Sequence, residues 1–240
     1  MDSTARKIIF VHQAKAAGTT LVEAFKLTYG KELVCHDQDN QNLWKMPKWR
    51  RRIELRVQPY RRYKDRRPFR VIHGHFRSEK YRRAFPDAFY LTFYRHPIQQ
   101  LVSHYHYWLR NHNPADSNPF RKWVYEKRPT LVQFVERWAR GRDFSRGKLI
   151  DAQHFNFVGI TERIEDSMKL LQMHIPELVT GIGEHRVNPD KPVGESYVLT
   201  HDDEEALNIM LTPLISLYDE AVKRFELDWN AANKLDFLEK

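Results

Sequence analysis

Residues 7–20 read Lys7-Ile8-Ile9-Phe10-Val11-His12-Gln13-Ala14-Lys15-Ala16-Ala17-Gly18-Thr19-Thr20. The β-branched and aromatic beginning predicts a buried strand, and the small and polar residues after it predict a tight loop. Apolar residues at helical spacing follow from Leu21 to Leu27, until Gly30 ends the pattern. We therefore predict a strand, a loop and a helix in that order.

The predicted loop has the features of an anion site. The N–H groups at the start of a helix have no partner within the helix, and the helix dipole favours negative charge there. Lys15 adds a positive charge, and Thr19 and Thr20 add hydroxyl donors. The pattern G-x-x-x-x-G-K-[ST] of triphosphate-binding loops is absent, because Lys15 precedes Gly18. On these residues alone, the segment is either an anion cradle or a simple turn.

Alternating strands and helices continue along the chain. Further strands are predicted at 69–73, 88–94 and 155–160, and helices after Pro97, around 131–138, around 167–171 and after Thr200. This alternation predicts an α/β fold with a central, mainly parallel sheet flanked by helices. There is no internal repeat or low-complexity linker, so we expect one domain over 1–240 with a basic helical insertion around 40–68.

Positive charge is concentrated in one part of the chain. The protein carries 40 Lys and Arg against 31 Asp and Glu, a net charge of +9. Residues 45–83 hold sixteen Lys and Arg and three acidic residues, so this basic segment has a charge of +13 and the remainder has −4. Such a segment is suited to an anionic partner. Its aromatic residues either stack on sugar rings or belong to the core; they are Trp44, Trp49, Tyr60 and Tyr63.

Hydropathy and cysteine content indicate the cellular compartment. No segment approaches the length of apolar residues that a membrane helix needs, and the N-terminus lacks the features of a signal peptide. Cys35 is the single cysteine and cannot form an internal disulfide, which favours a reducing compartment. We expect a cytoplasmic protein as the sequence stands, or a Golgi-lumen protein if an N-terminal anchor precedes it.

The loop resembles the 5′-phosphosulfate loop of sulfotransferases that use 3′-phosphoadenosine-5′-phosphosulfate (PAPS), written P-K-x-G-[ST]-[ST]. Ala14 stands where the family has proline, and Ala17 where it often has glycine. The resemblance implies a P-loop NTPase-like three-layer fold, PAPS as donor and 3′-phosphoadenosine 5′-phosphate (PAP) as product. It also implies a set of residues that bind the 5′ end of the nucleotide, namely Lys15, Ala16, Ala17, Gly18, Thr19 and Thr20.

A second block, from Tyr90 to Pro97 and on to Ser103, is similar to the family's 3′-phosphate block. The resemblance implies that Arg95 and Ser103 hold the 3′-phosphate. The residue type also favours a phosphate ligand over a metal at this strand end. Magnesium-dependent phosphoryl transfer needs an acidic metal ligand, whereas this strand ends in arginine. We therefore expect no metal.

Three further segments resemble the hexuronyl 2-O-sulfotransferase branch of that family. They are the H-G-H segment within 72–76, the V-G-x-T-E segment at 158–162, and the late pair His185 and Arg186. The match implies that Arg186 closes over the nucleotide and that His75 is the catalytic base, with His73 as the reserve candidate. A neutral imidazole is suited to take a proton from a hydroxyl at neutral pH.

The expected reaction transfers a sulfuryl group to a hydroxyl of a carbohydrate, with an acidic glycan favoured by the basic segment. Lys15 is expected to act in catalysis as well as in binding, since positive charge stabilises the leaving phosphate oxygen. Two alternatives stay open: a P-loop kinase of a small molecule, and a non-enzymatic polyanion-binding or RNA-binding module. No RNA-recognition motif supports a nucleic-acid partner. The oligomeric state and the acceptor hydroxyl are not determined by the sequence.

Overall fold

The computed structural model describes residues 6–37, 46–64, 68–111, 118–140, 151–180 and 197–238. Its centre is a five-stranded sheet in the order β2-β3-β1-β4-β5, and all four pairings are parallel. The strands are β1 (Ile8–Val11), β2 (Val34–His36), β3 (Val71–Gly74), β4 (Phe89–Tyr94) and β5 (Phe157–Ile160). The predicted α/β fold with a parallel sheet is thereby confirmed.

Helices flank this sheet and connect its strands. In the described ranges they are α1 (Gly18–Tyr29), α2 (Lys48–Pro59), α3 (Glu79–Arg82), α4 (Pro97–Arg110), α5 (Pro119–Lys127), α6 (Leu131–Ala139), α7 (Ile164–His174) and α8 (His201–Leu238). A π-helical turn at Tyr60–Lys64 continues α2. Thr200 begins α8 as expected from its position, since its Oγ1 accepts the N–H of Asp203 at 3.2 Å.

Two hydrophobic clusters form the interior of the described part of the chain. The larger one surrounds the sheet, and every residue of β1 and β4 is buried in it. The smaller one lies between α4, α5, α6 and the first part of α8, with Phe134 and Trp108 among its buried rings. The later part of α8 contributes Ala221 and Phe225 to the larger cluster, so this one helix is shared between them.

The strand register brings the carboxyl ends of the three central strands together. Val11 pairs with Gly74 on one side and with Thr92 on the other. The segments that leave β1, β3 and β4 therefore start at the same edge, which we call the carboxyl edge. In parallel α/β sheets this edge is where ligands bind.

The sequence predicted four of the five strands, each within a few residues of its observed bounds. It missed β2, which has three residues and is too short for a periodic pattern. The predictions for Trp44, His185 and Arg186 concern positions outside the described residues.

Candidate active site

The loop after β1 has an unusual backbone. Lys15 and Ala17 have φ values of 65° and 52°, in the left-handed region, and Ala16 between them does not. Alternation of this kind turns successive N–H groups toward one concave spot that accepts anions. Left-handed conformations cost energy for residues other than glycine, and such strain is concentrated at functional sites.

The first turn of α1 faces the same spot. Its N-cap residue, Ala17, makes no side-chain bond to the helix, so the first N–H groups are left to another acceptor. Gly18 has no room for a side chain, because an added Cβ would lie 1.7 Å from Nε2 of His12. The His12 ring therefore packs directly against the start of the helix.

The end of β4 contacts this loop. Nη1 of Arg95 donates to the carbonyl oxygen of Lys15 at 3.2 Å, and Nε2 of Gln100 donates to the carbonyl oxygen of Ala14 at 2.7 Å. Nζ of Lys15 lies 4.5 Å from the centre of the Tyr107 ring on α4. The structure therefore brings together Lys15 and Arg95, which sequence reasoning assigned to opposite ends of one ligand.

Ser103 follows Gln100 by one helical turn on α4, so both side chains lie on the same side of the helix. Ser103 is only 6% exposed. The hydroxyl that the resemblance assigns to the 3′-phosphate is therefore largely covered. Gln100 was not predicted, since no local pattern marks a glutamine that supports a distant loop.

The histidine of the H-G-H segment is held by a backbone group. Nδ1 of His75 lies 2.6 Å from the carbonyl oxygen of His12, and the two rings are 4.6 Å apart. Because a carbonyl oxygen only accepts hydrogen bonds, Nδ1 must carry the proton. In the neutral ring the lone pair is then on Nε2, which is the atom that would act as a base.

Burial favours the neutral form of His12, His73 and His75. Burial lowers the pKa of His12 to about 3 and that of His73 to about 4, and in each case a neighbouring histidine adds to the effect. Partial burial also lowers the pKa of His75, against a smaller opposite effect of its bond to His12. These three rings are therefore uncharged at pH 7.

His73 and His75 differ in access. His73 is 8% exposed, its Nδ1 is buried without a hydrogen-bond partner among the described residues, and its ring contacts that of His36. His75 is open to solvent. The left-handed Gly74 between them, with φ of 155°, has no room for a Cβ because the carbonyl oxygen of Asp37 would lie 1.6 Å away.

A buried carboxylate at the end of β2 organises this side of the edge. Asp37 accepts from Nη1 of Arg62 at 2.7 Å, from Nζ of Lys80 at 2.6 Å, and from the hydroxyl of Tyr81. Its N–H donates to the carbonyl oxygen of His73 at 2.9 Å. Sequence reasoning missed Asp37, because only the fold brings it to its three partners.

The basic segment is divided between internal and outward roles. Arg62 and Lys80 pair with Asp37, and Arg70 pairs with Glu177 at 3.2 Å. Tyr63 is buried, and Trp49 is 66% exposed. Tyr63 therefore belongs to the core, whereas stacking on a sugar ring stays a prediction for the exposed Trp49.

One face of α2 presents positive charge to solvent. Trp49, Arg52, Ile53 and Arg56 follow one another at helical spacing, and all four are exposed. Arg52 and Arg56 form no ion pair with any residue in the described part of the chain. We call these four residues the α2 face.

Two kinds of feature are absent from the described residues. No three His, Cys, Asp or Glu side chains in the described ranges are placed to hold a metal ion. Within the same ranges, none of the helices combines the length and hydropathy required to cross a bilayer.

Comparison with known proteins finds a matching protein family. A family model described as "Sulfotransferase family" matches residues 1–189. Similar solved structures include mouse sulfotransferase SULT7A1 complexed with PAP, at 17% identity and a TM-score of 0.40, with 76% of this chain and 62% of that chain covered. A sulfotransferase from Alicyclobacillus acidocaldarius has 17% identity and a TM-score of 0.41, with 93% and 96% covered. The match thus spans less than two thirds of the mouse chain, and no curated protein matches.

Two adjacent substitutions in the loop should have opposite effects on stability. Ala17→Gly should raise the free energy of unfolding by about 0.5–1 kcal/mol, because glycine adopts a left-handed φ without the Cβ penalty. Gly18→Ala should lower it by about 1–3 kcal/mol, since the new Cβ would overlap the His12 ring. Urea denaturation at pH 7.5 measures both, and a destabilised Ala17→Gly variant would contradict the backbone geometry.

The buried histidines predict loss of stability in acid. Since their folded pKa values lie below 6.5, the unfolded chain binds more protons as the pH falls, and stability present above pH 6.5 is lost toward pH 4. Between pH 7.5 and pH 5.5, each of His12 and His73 should lower the free energy of unfolding by about 1 kcal/mol. Urea denaturation at pH 7.5 and 5.5 tests this, and in His73→Leu the difference should be roughly halved. An equal pH dependence in that variant would show that other groups are responsible.

Proposed function

The chain belongs to the sulfotransferase family, and we propose that it transfers a sulfuryl group from PAPS to a hydroxyl of a carbohydrate acceptor. The observation that carries the proposal is the contact between Arg95 and the carbonyl oxygen of Lys15. It joins the loop that is suited to the 5′ end of the nucleotide to the strand end that is suited to its 3′-phosphate. The mouse enzyme with 17% identity was crystallised with PAP.

The donor site is formed by the loop and the first turn of α1. The N–H groups of 17–20 and the ammonium group of Lys15 bind the 5′-phosphosulfate, because the left-handed residues and the uncapped helix direct donors to one spot. Ala16, the other residue expected there, already donates its N–H to the carbonyl oxygen of Gln13 at 3.3 Å. Arg95 and Ser103 bind the 3′-phosphate. Arg186, which the resemblance assigns to the nucleotide, lies outside the described residues. A guanidinium group forms paired hydrogen bonds with phosphate oxygens, which suits Arg95 to this role.

His75 is the proposed base. Its Nε2 takes the proton of the acceptor hydroxyl, and the hydroxyl oxygen bonds to sulfur as the bond between sulfur and the phosphate oxygen breaks. Lys15 and the neighbouring N–H groups stabilise the negative charge that develops on that phosphate oxygen. The bond from Nδ1 to the His12 carbonyl oxygen supports this role because it leaves Nε2 unprotonated. His73, which is nearly buried, is the weaker candidate.

The proposed acceptor is an acidic glycan, as in the hexuronyl 2-O branch that the H-G-H and V-G-x-T-E segments resemble. The α2 face supports this proposal, because it combines an exposed indole ring with two arginines that have no ion pair among the described residues. Arginine pairs with carboxylates and sulfates, and aromatic rings stack on sugar faces. Arg62 anchors the π-helical turn after α2 to Asp37, which itself contacts Gly74 of the H-G-H segment.

Substitution of the base should separate catalysis from donor binding. His75→Ala should lower kcat by about 10²–10⁴-fold and leave the Kd for PAP within about twofold, because the ring is needed for proton transfer. Lys15→Ala should impair both. His154→Ala, at an exposed position before β5, is the matched control. Sulfate transfer read by mass and calorimetric PAP titration give the two values.

Nucleotide titration also distinguishes a PAPS-dependent sulfotransferase from a P-loop kinase. PAP should bind without metal, and ATP with magnesium should not bind. In the wild-type protein, kcat/KM should rise with pH and then reach a plateau. The midpoint of the rise should lie below pH 6.5, because the pKa of His75 is lowered from that value. Full activity of His75→Ala, or binding of ATP in place of PAP, would refute the proposal.

The α2 face should affect the acceptor alone. The double variant Arg52→Ala, Arg56→Ala should raise KM for a sulfated or uronic-acid glycan about 3–30-fold, because each lost charge contact contributes up to about 1 kcal/mol. The dependence of the glycan KM on salt concentration should weaken as well. PAP affinity should not change. Arg140→Ala, an exposed arginine at the end of α6, serves as the control; an unchanged glycan KM in the double variant would remove this surface from the proposal.

A further inference from the structure

The V-G-x-T-E segment identified in the sequence occupies the end of β5 and the turn after it. It comprises Val158 to Glu162, and none of its side chains contributes to the proposed donor or acceptor contacts. β5 is the edge strand beside β4, with Phe93 opposite Gly159 and Tyr94 opposite Ile160. The segment therefore lies directly beside the strand that ends in Arg95.

Its first residues bring β5 close to β4. Val158 is completely buried. A Cβ on Gly159 would lie 2.4 Å from the Phe93 ring, so only glycine leaves space for that ring. These two residues fix how near the following turn comes to the end of β4.

The next two side chains bond to the backbone on either side of Arg95. Oγ1 of Thr161 donates to the carbonyl oxygen of Tyr94 at 2.9 Å. Oε1 of Glu162 accepts from the backbone N–H of His96 at 2.9 Å. The peptide groups before and after Arg95 are therefore both held by one turn.

Helix α8 orients the carboxylate of Glu162. The Tyr218 hydroxyl donates to Oε2 at 3.2 Å, and the Tyr218 ring packs edge to face on the His96 ring at 5.2 Å. Burial and the nearby carboxylate raise the pKa of Tyr218, so its hydroxyl stays a donor across the physiological range. Both oxygens of Glu162 are thus engaged.

We infer that Thr161 and Glu162 are positioning residues that aim Arg95 at the 3′-phosphate of the nucleotide. The inference rests on the proposed function, because it takes Arg95 as the 3′-phosphate ligand. Arg95 has to satisfy two demands, since its guanidinium also donates to the Lys15 carbonyl oxygen. A backbone fixed on both sides reduces the conformational freedom that the side chain loses on binding.

The test compares two ligands that differ only in the 3′-phosphate, PAP and adenosine 5′-phosphate. Thr161→Val keeps the shape and removes the donor, and Glu162→Ala removes both acceptors. Each should weaken PAP about 3–10-fold, the usual effect of losing one hydrogen bond, and leave adenosine 5′-phosphate unchanged. Glu162→Gln should stay close to wild type, because its amide oxygen still accepts from His96.

A control variant accounts for general stability. Thr28→Val, at the other end of α1, also removes an Oγ1 that donates to one backbone group and accepts from another, Ala24 and Val179. Its preference for PAP over adenosine 5′-phosphate should equal that of the wild type. Thermal unfolding of each apo variant shows which ones are folded at the temperature of the titration.

The outcomes separate the inference from the function on which it rests. If the wild type shows no preference for PAP, the assignment of the donor site is wrong. A second outcome is that the wild type prefers PAP, that Arg95→Ala removes this preference, and that Thr161→Val and Glu162→Ala keep it. In that case the positioning role is wrong and the proposed function stands. A folded variant that loses both ligands equally also overturns the positioning role.

Discussion

Parallel pairing of β1 with β3 and β4 is the constraint on which the site depends. The N–H of His12 donates to the carbonyl oxygen of Gly74, and Oγ1 of Thr92 donates to the carbonyl oxygen of Val11. These bonds join the ends of β1 and β3 to each other and the end of β1 to β4, so the position of the loop after β1 is fixed relative to both neighbours. A slip of one residue in β1 would reverse its side chains and separate the loop from its partners.

The second organising interaction is electrostatic. Asp37 is fully buried, and a buried carboxylate is tolerated only when charged or hydrogen-bonding groups surround it. Arg62 and Lys80 supply the opposite charges from two separate segments. The same residue therefore ties a strongly basic helical segment to the sheet and sets the path of the chain through the H-G-H turn. Removing the carboxyl group would leave the buried Lys80 without this partner.

Local patterns in the sequence were sufficient for four of the five strands and for the loop between β1 and α1. The anion-binding role of that loop stays a prediction, and Lys15 and Arg95 lie near each other because adjacent parallel strands end at one edge. Local patterns were insufficient wherever a contact joins residues distant in sequence. Asp37 and Gln100 are ordinary polar residues in the sequence, and their partners are brought to them by the fold alone. The orientation of His75 depends on a carbonyl oxygen 63 positions away, which no side-chain motif can encode.

In the proposed mechanism, the bond that holds His75 also determines how the ring loses the proton that it takes from the acceptor. With Nδ1 committed to the His12 carbonyl oxygen, the ring cannot pass a proton inward from one nitrogen to a second acceptor. A proton gained at Nε2 has to leave from Nε2, into the water or buffer that reaches the open side of the ring. Under this mechanism, deprotonation of the imidazole therefore takes place on the exposed side of the ring.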